Sequence, residues 1–367
     1  MNSFDHSKIL AKMAENFRNP VLIESSDHII LYVNKIMQET FGNLVGHHRN
    51  FLFQNDVTEA SLCEDDVFHL NEGVSEVVIA DVAYKVICTK IEDETGDSYN
   101  VVTLEDISLF KALQSRLQEN LETLKRDAGI AKQIQGSVLP SNGEYWNAIR
   151  LNAVYMPAED LSGDFFDIVS VGADKTLLYI ADVSGHGIQA SLLTMFIREN
   201  VRAALRAEDC TTDGILRNLL STFQLLDVPA RFYLSILLCL YNQKTGTLSI
   251  ANAGHNCFPL VLRSNGRIEE ITVSGMPISK ISLPESYEEE SIVVHVGDRI
   301  LLYTDGIVEE YSKMKKKSFG TEGVRRVASE YIALPGDELA RKIIEGSNEY
   351  MLISAKDDRT IVVADFL

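Results

Sequence analysis

The chain has 367 residues, 46% hydrophobic and 24% charged, which is the make-up of an ordinary folded protein with room for two or three compact units. Its 34 Lys and Arg against 53 Asp and Glu leave a formal net charge of −19, which excludes nucleic acid as the main partner for want of cations to neutralise phosphates, and suits divalent cations. The five cysteines, Cys63, Cys88, Cys210, Cys239 and Cys257, lack zinc or disulfide spacing and read as reduced core thiols. No apolar run approaches the roughly 20 residues of a membrane span, and "MNSFDHSKIL" lacks the order of a signal peptide. A cytoplasmic protein with no membrane association of its own is expected.

Residues 1–108 alternate short strands and helices. "PVLIESSD" and "HIILYVN" predict a strand pair around a Ser-Ser-Asp turn, and "KIMQETFG" a short helix closed by Gly42. "SEVVIADVAY", "KVICTKIED" and "SYNVVTLEDIS" come next as three β-rich runs separated by charged or Gly-containing turns, giving a small α+β unit with an antiparallel sheet. On "SSDHIILYVNKIMQETFG" and the closing "VVTLEDIS", this unit resembles a PAS domain, a fold used for sensing and dimerisation. "GHHRNFLFQND" resembles the flavin-binding loop of light-sensing PAS relatives, but no cysteine stands at the adduct position, so flavin photochemistry is not expected. His47 and His48 read as polar loop residues rather than haem ligands.

From Ile107 to Val138 the pattern is a single helix, which makes residues 109–139 a linker. Phe110, Leu117, Leu124, Ala131 and Val138 fall seven apart, with Leu113 and Ile134 in the complementary row and Asn120 and Asp127 interrupting it. This predicts a coiled-coil linker and a homodimer through the linker and the first unit; a lone amphipathic helix packed on its own domain is the competing reading. Gly129, which costs a helix about 1 kcal/mol relative to Ala, marks a candidate hinge, and Pro140 ends the helix.

Residues 140–367 carry strand candidates "TLLYIAD", "YLSILLCLY", "TLSIANAG", "FPLVLR", "SIVVHV", "RILLYTD" and "TIVVADF", with helical patterns at 187–207, 213–226, 321–332 and 336–354. Consecutive strand pairs with few helices predict an antiparallel sandwich flanked by helices rather than a doubly wound parallel sheet. Acidic residues recur at the ends of these runs: Asp164 in "LSGDFFD", Asp182 in "YIADVSGHG", Asp305 in "LLYTDGIVEE", and Asp357 and Asp358 in "KDDRTIVVADF". A lone Asp beside Gly is commonly a turn former. Carboxylates recurring at strand ends can instead converge, and a converged cluster needs cations to offset its repulsion and desolvation. An oxygen-only ligand set selects magnesium or manganese, and two such ions about 3.5–4 Å apart can activate a water for in-line attack on phosphorus.

The ordered series "SGDFFD", "ADVSGHG", "NAGHN", "YTDGIVE" and "DDRT" resembles the bacterial branch of the PPM-type metal-dependent Ser/Thr phosphatases, the SpoIIE/RsbU class, and "AGIAKQIQGSVLP" resembles the regulatory segment before that domain. With a PAS-like unit in front, the arrangement resembles the RsbP type. The implied fold is α+β: an N-terminal PAS-like antiparallel sheet domain, a coiled-coil linker helix and a C-terminal PPM-type β-sandwich flanked by helices. The resemblance implies two Mn²⁺ or Mg²⁺ ions, with Asp182 bridging both, Asp164 and the Val183 carbonyl at the second, and Asp305 and Asp357 at the first. Asp358 either joins them or supports them through a hydrogen bond. It also implies a substrate, a phosphorylated partner-switching protein of the STAS anti-anti-sigma type. Ser162 departs from the usual "GGD", and the bacterial branch lacks the phosphate-gripping Arg of eukaryotic relatives. His186 is either a proton donor to the leaving serine or a loop residue, and His255 is expected to be a turn residue. A catalytically silent scaffold is the alternative. "SGDFF" is also similar to the "GGDEF" signature of diguanylate cyclases, but Phe165 and Phe166 occupy the further acidic position. A histidine kinase is excluded by the absence of His from residues 107–138.

Overall fold

The computed structural model describes residues 11–53, 73–92, 96–185, 187–206, 210–312, 317–350 and 357–367. The chain divides into two compact units, Met1–Leu124 and Lys125–Leu367.

In the first unit, strands β1 (Val21–Ser25), β2 (Ile30–Val33), β3 (Gly73–Ile79), β4 (Val82–Glu92) and β5 (Ser98–Asp106) form one antiparallel sheet in the order β2-β1-β5-β4-β3. Helices α1 (Lys35–Phe41) and α2 (Asn50–Phe53) accompany it. The Asn34 carboxamide oxygen accepts from the N–H groups of Met37 and Val21, which caps α1 and ties its start to β1. Leu22, Ile30, Met37, Val86, Val102 and Leu104 make the core. The expected run "SEVVIADVAY" is in fact a hairpin. Ala80 and Asp81 turn the chain with φ of 48° and 62°, and residues 82–84 run on into "KVICTKIED" as β4. Such a two-residue turn needs positive φ at both positions, and without Gly or Asn it left no mark in the sequence. His47 and His48 are exposed and Cys88 is buried; Cys63 lies outside the described residues.

Helix α3 (Ser108–Val138) runs unbroken through Gly129. Its Phe110, Leu113, Leu117, Leu124 and Ile134 are exposed, and Gln135 is the residue it buries. No helix among the described residues is long and apolar enough to cross a membrane.

The second unit contains β6 (Gly143–Tyr145), β7 (Ile149–Met156), β8 (Asp164–Val171), β9 (Lys175–Val183), α4 (Ile188–Ala204), α5 (Thr212–Leu225), β10 (Tyr233–Asn242), β11 (Thr247–Ala253), β12 (Leu260–Leu262), β13 (Ile268–Glu270), β14 (Ile278–Ser279), β15 (Glu289–Val293), β16 (Arg299–Tyr303), α6 (Asp305–Val308), β17 (Tyr311–Ser312), β18 (Lys317–Ser318), α7 (Gly320–Glu330), α8 (Gly336–Asn348) and β19 (Arg359–Phe366). One sheet runs β15-β11-β10-β9-β8, with β14 also on β10, and the other runs β13-β12-β16-β19-β7-β6; all pairs are antiparallel. Phe166, Ile180, Leu237 and Ile250 of the first sheet share a core with Leu151, Ile300, Leu302 and Val362 of the second. Helices α4 and α5 cover the outer face of the first sheet through Ile197, Val201, Leu219 and Phe223, and α7 and α8 cover the second through Val324, Leu339 and Ile343. The helix-flanked antiparallel sandwich is therefore as expected, while β6, β7, β8, β14, β17, β18 and α6 were not anticipated as elements. In β7 the half-buried and polar positions of "IRLNAVYM" blur the period of two.

Candidate metal centre

The site is the polar end of the core between the sheets. Side chains alternate along a strand, so Asp164 shares a face with Phe166 and Ile168, and Asp182 shares one with Ile180 and Leu178, all four of these apolar residues lying in the inter-sheet core. By the same parity Thr304 continues the row of Ile300 and Leu302, and Thr360 and Asp358 continue that of Val362. Each row is apolar until its last position and then turns polar.

Asp164 and Asp182 are directly opposed across β8 and β9. Like charges so placed destabilise a sheet, so this pair is costly unless something positive is added. Asp164 is almost wholly buried, and its Oδ2 accepts hydrogen bonds from Thr304 Oγ1 at 2.7 Å and Thr360 Oγ1 at 2.6 Å, which join the two sheets. Its N–H donates to Ser162 Oγ at 3.0 Å, so the Ser that departs from the family pattern has a capping task. Asp305 opens α6, half-buried, while Asp357 is exposed and its Oδ1 accepts from the N–H of Asp358. Asp358 is buried, with Oδ1 accepting from Ala158 N–H at 2.8 Å and Oδ2 from Gly163 N–H at 2.7 Å. Both its oxygens thus hold the loop that leads into Asp164. Close approach fixes two glycines here: a Cβ on Gly163 would lie 2.7 Å from the Val183 carbonyl oxygen, and one on Gly306 would lie 2.1 Å from that of Asp358.

Burial, then the charges of Asp305, Asp357, Asp358 and Glu309, push the Asp182 carboxyl up to about 7. Burial and the facing Asp182 hold Asp164 well above the usual carboxylate range against its two Thr hydrogen bonds, and burial with Glu309 raises Asp305. None of the charges acting most strongly on Asp182 is a cation. Among the described residues no three Asp, Glu, His or Cys side chains close to ligating distance around one point. A hard divalent cation fits this set: the donors are oxygens only, and the uncompensated charge is what such an ion would neutralise.

The raised carboxyls make a pH prediction. Between the unfolded pKa of about 3.9 and the folded value of about 7 for Asp182, the folded metal-free state binds more protons than the unfolded one. Its stability therefore falls as pH rises across that window. Melting temperature in chelator is expected to drop from pH 5 to pH 7.5, and saturating manganese to flatten or reverse the trend; a chelated protein that gains stability over this range would contradict the buried-charge account.

His255 is buried, with Nε2 3.0 Å from the Tyr303 carbonyl and Nδ1 3.2 Å from Ser235 Oγ, and burial lowers its pKa to about 4. It is a neutral structural residue, as the turn reading expected. The Asn252 carboxamide bridges the same turn, accepting from His255 N–H and donating to the carbonyls of His255 and Val273. His186 lies outside the described residues.

Residues 172–367 match the family described as Stage II sporulation protein E (SpoIIE). The chain belongs to the SpoIIE family. Among curated relatives, it is 22% identical over 242 residues to phosphoserine phosphatase RsbU of Bacillus subtilis (strain 168), covering 66% of this chain and 70% of that one. It is 24% identical over 194 residues to phosphoserine phosphatase RsbP of the same organism, covering 50% of this chain and 46% of that one, so it spans less than half of RsbP. Among solved structures, the SiaA-PP2C domain of Pseudomonas aeruginosa superposes with a TM-score of 0.58 at 21% identity, covering 68% of this chain and 99% of that one, which establishes the PP2C fold. As a SpoIIE-family member the chain is a PPM-type protein phosphatase. Asp182, Asp305, Asp357 and Asp358 fall inside the matched residues, and Asp164 lies just before them.

Sequence reasoning missed several residues of this SpoIIE-family site. Thr304 and Thr360 clasp Asp164, Glu309 adds charge against Asp305, and Gln135 anchors the loop. From α3, Gln135 accepts the Ser162 N–H at 3.2 Å and donates to the Ser162 carbonyl at 2.8 Å and to Thr194 Oγ1 at 3.2 Å. The end of α3 thereby grips the residue two before Asp164. "AKQIQGSVLP" signalled the segment, but nothing in it singled out this glutamine.

Proposed function

We propose that the chain is a phosphoserine phosphatase whose substrate is a serine-phosphorylated STAS-type partner-switching protein, and that it works in the cytoplasm with two Mn²⁺ or Mg²⁺ ions. The observation that carries this is the Asp164–Asp182 pair, opposed in register and surrounded by Asp305 and Asp357 with no cation among the strongest charges on it. Asp182 would bridge the ions, Asp164 and the Val183 carbonyl would complete one site, and Asp305 and Asp357 the other. Asp358, with both oxygens committed to Ala158 and Gly163, would position rather than ligate. When bound, the ions supply an activated water and charge stabilisation for in-line attack on phosphorus. The names of the curated relatives RsbU and RsbP support a phosphoserine substrate.

Domains are assigned as a sensor at 1–108, a regulatory linker at 109–139 and the phosphatase at 140–367. The strand order β2-β1-β5-β4-β3 supports a PAS-like sensor, and the exposed heptad leucines of α3 support a homodimer through it. Regulation would reach the site through Gln135, because a shift of α3 moves the loop that carries Asp164.

The test is phosphate release from an aryl phosphate and from a serine-phosphorylated STAS protein, with manganese and then with excess chelator. Turnover of both in manganese and of neither in chelator is expected. Manganese binding by calorimetry with no turnover of either substrate would instead establish the silent scaffold.

A further inference from the structure

Beside the metal centre, the second unit displays large aliphatic side chains on a turn that is otherwise tightly built. The Ser282 hydroxyl is buried, donating to the Pro277 carbonyl at 2.5 Å and meeting Ser279 Oγ at 2.7 Å, while the Ser282 carbonyl accepts from Gln224 Nε2 of α5 at 2.9 Å. The base of the turn packs on the Asn252–His255 loop so closely that a Cβ on Gly254 would fall 2.5 Å from Pro277. From this fixed frame Ile281 and Leu283 project 80% and 83% exposed, and Leu225, next to Gln224, is 86% exposed. A turn with three polar anchors has no folding need to hold two large aliphatics in water, and large apolar side chains displayed together on one fixed turn suit an interaction site.

The turn is tied to the metal centre through its backbone. Ser279 pairs with Tyr233, whose carbonyl accepts from Ser184 N–H at 3.0 Å and whose N–H donates to Ser184 Oγ at 2.9 Å, two residues beyond Asp182. Tyr233 is itself 47% exposed, and Met276, just before Pro277, is 51% exposed. The turn itself carries no acid: residues 271–284 contain no Asp or Glu and one Lys, Lys280, with Glu285 two residues beyond Leu283 and Asp227 two beyond Leu225.

Resting on the phosphoprotein reading above, we propose that Ile281 and Leu283, flanked by Leu225 and Met276 and joined to the metal centre by Tyr233, dock the folded phosphoprotein substrate through an apolar surface next to its phosphoserine. The metal centre handles the phosphate; the patch selects the protein that bears it. A small ester reaches the first without touching the second.

The experiment compares the full chain with its I281E/L283E variant in manganese. Three substrates are used: p-nitrophenyl phosphate, a short phosphoserine peptide, and a serine-phosphorylated STAS-domain protein. Both side chains are in solvent, so the variant is expected to melt within about 2 °C of the wild type and to hydrolyse the ester and the peptide at rates within about twofold. Its kcat/KM on the phosphoprotein is expected to fall at least about tenfold, chiefly through KM. An unchanged kcat/KM on the phosphoprotein overturns the docking site while leaving the phosphatase reading intact, and a dimer lost on gel filtration with that value unchanged reassigns the patch to a second copy of the chain. Equal losses on all three substrates also overturn it, since the turn would then serve the metal centre itself. A wild-type chain that cleaves the ester but no phosphoprotein removes the substrate reading and the patch together.

Discussion

Replacing Asp182 with Asn is expected to abolish manganese-dependent hydrolysis and, at the same time, to make the metal-free protein more stable. The two effects have one cause. Asp182 is buried opposite Asp164 and lies in the field of Asp305, Asp357 and Glu309, so its charge is a burden on the fold without a cation. Asn keeps the shape and removes the charge. Loss of a residue merely supporting a metal ligand costs about 10–100-fold in affinity or activity, so loss of the ligand proposed to bridge two ions should exceed about 100-fold in turnover. The gain in stability of the chelated protein at pH 7.5 is expected to be about 1–3 kcal/mol, read as a melting temperature several degrees higher. Calorimetry should show manganese affinity falling in step. An Asp182→Asn protein that is both inactive and less stable in chelator would mean that Asp182 is held by partners rather than poised for a cation.

The second large effect is expected at Gln135, which is not among the proposed metal ligands. Its side chain satisfies both backbone groups of Ser162, and Ser162 Oγ caps the amide of Asp164. Truncation to Ala leaves a buried N–H and a buried C=O unpaired, at about 1–3 kcal/mol each, and frees the loop to move Asp164 relative to Asp182. Gln135→Ala should lower kcat on the aryl phosphate by about 10–100-fold with a weaker response to manganese, and excess manganese should restore part of it. Since the readout is metal dependence, a general loss of stability is told apart from loss of the grip: equal kcat at saturating manganese with unaltered half-saturation would remove Gln135 from the regulatory route. Lys132, one turn earlier, makes only an exposed contact with Asp160, and its substitution should leave these values unchanged.

The carboxylates were legible because their chemistry interrupts a pattern. Asp182 and Asp305 end apolar runs before glycines, and nothing in strand formation requires an acid there. What the sequence could not separate was Asp357 from Asp358, because the distinction lies in which oxygens meet backbone N–H groups across the fold, Ala158 and Gly163 for Asp358. Thr304 and Thr360 escaped notice for a related reason. Each looks like an ordinary β-branched strand residue, and only the packing of one sheet on the other brings both hydroxyls to Asp164. The antiparallel sandwich could be read from paired apolar runs, whereas the Ala80–Asp81 turn was hidden because Ala80 does not advertise a left-handed backbone. The helix α3 was plain from its heptads, but the one side chain by which it reaches the site is polar and out of step with them.

The bonds of Asp358 to Ala158 and Gly163 join residues 200 and 195 positions apart, and β19 lies between β16 and β7 in the middle of its sheet. Such pairings are slow to find, because the intervening chain must be ordered before they are rewarded. The carboxylates are therefore expected to come together late in folding, after the sandwich has assembled, which low φ-values for substitutions around Asp358 would show. Cations that need the finished geometry do not seed it, in contrast to small zinc domains that fold around their metal. They are expected to act instead on escape from the native state, since contacts absent from the folding transition state slow unfolding without hastening folding. Metal is then expected to act as a latch on a completed fold, its effect on lifetime outrunning its effect on the speed of folding.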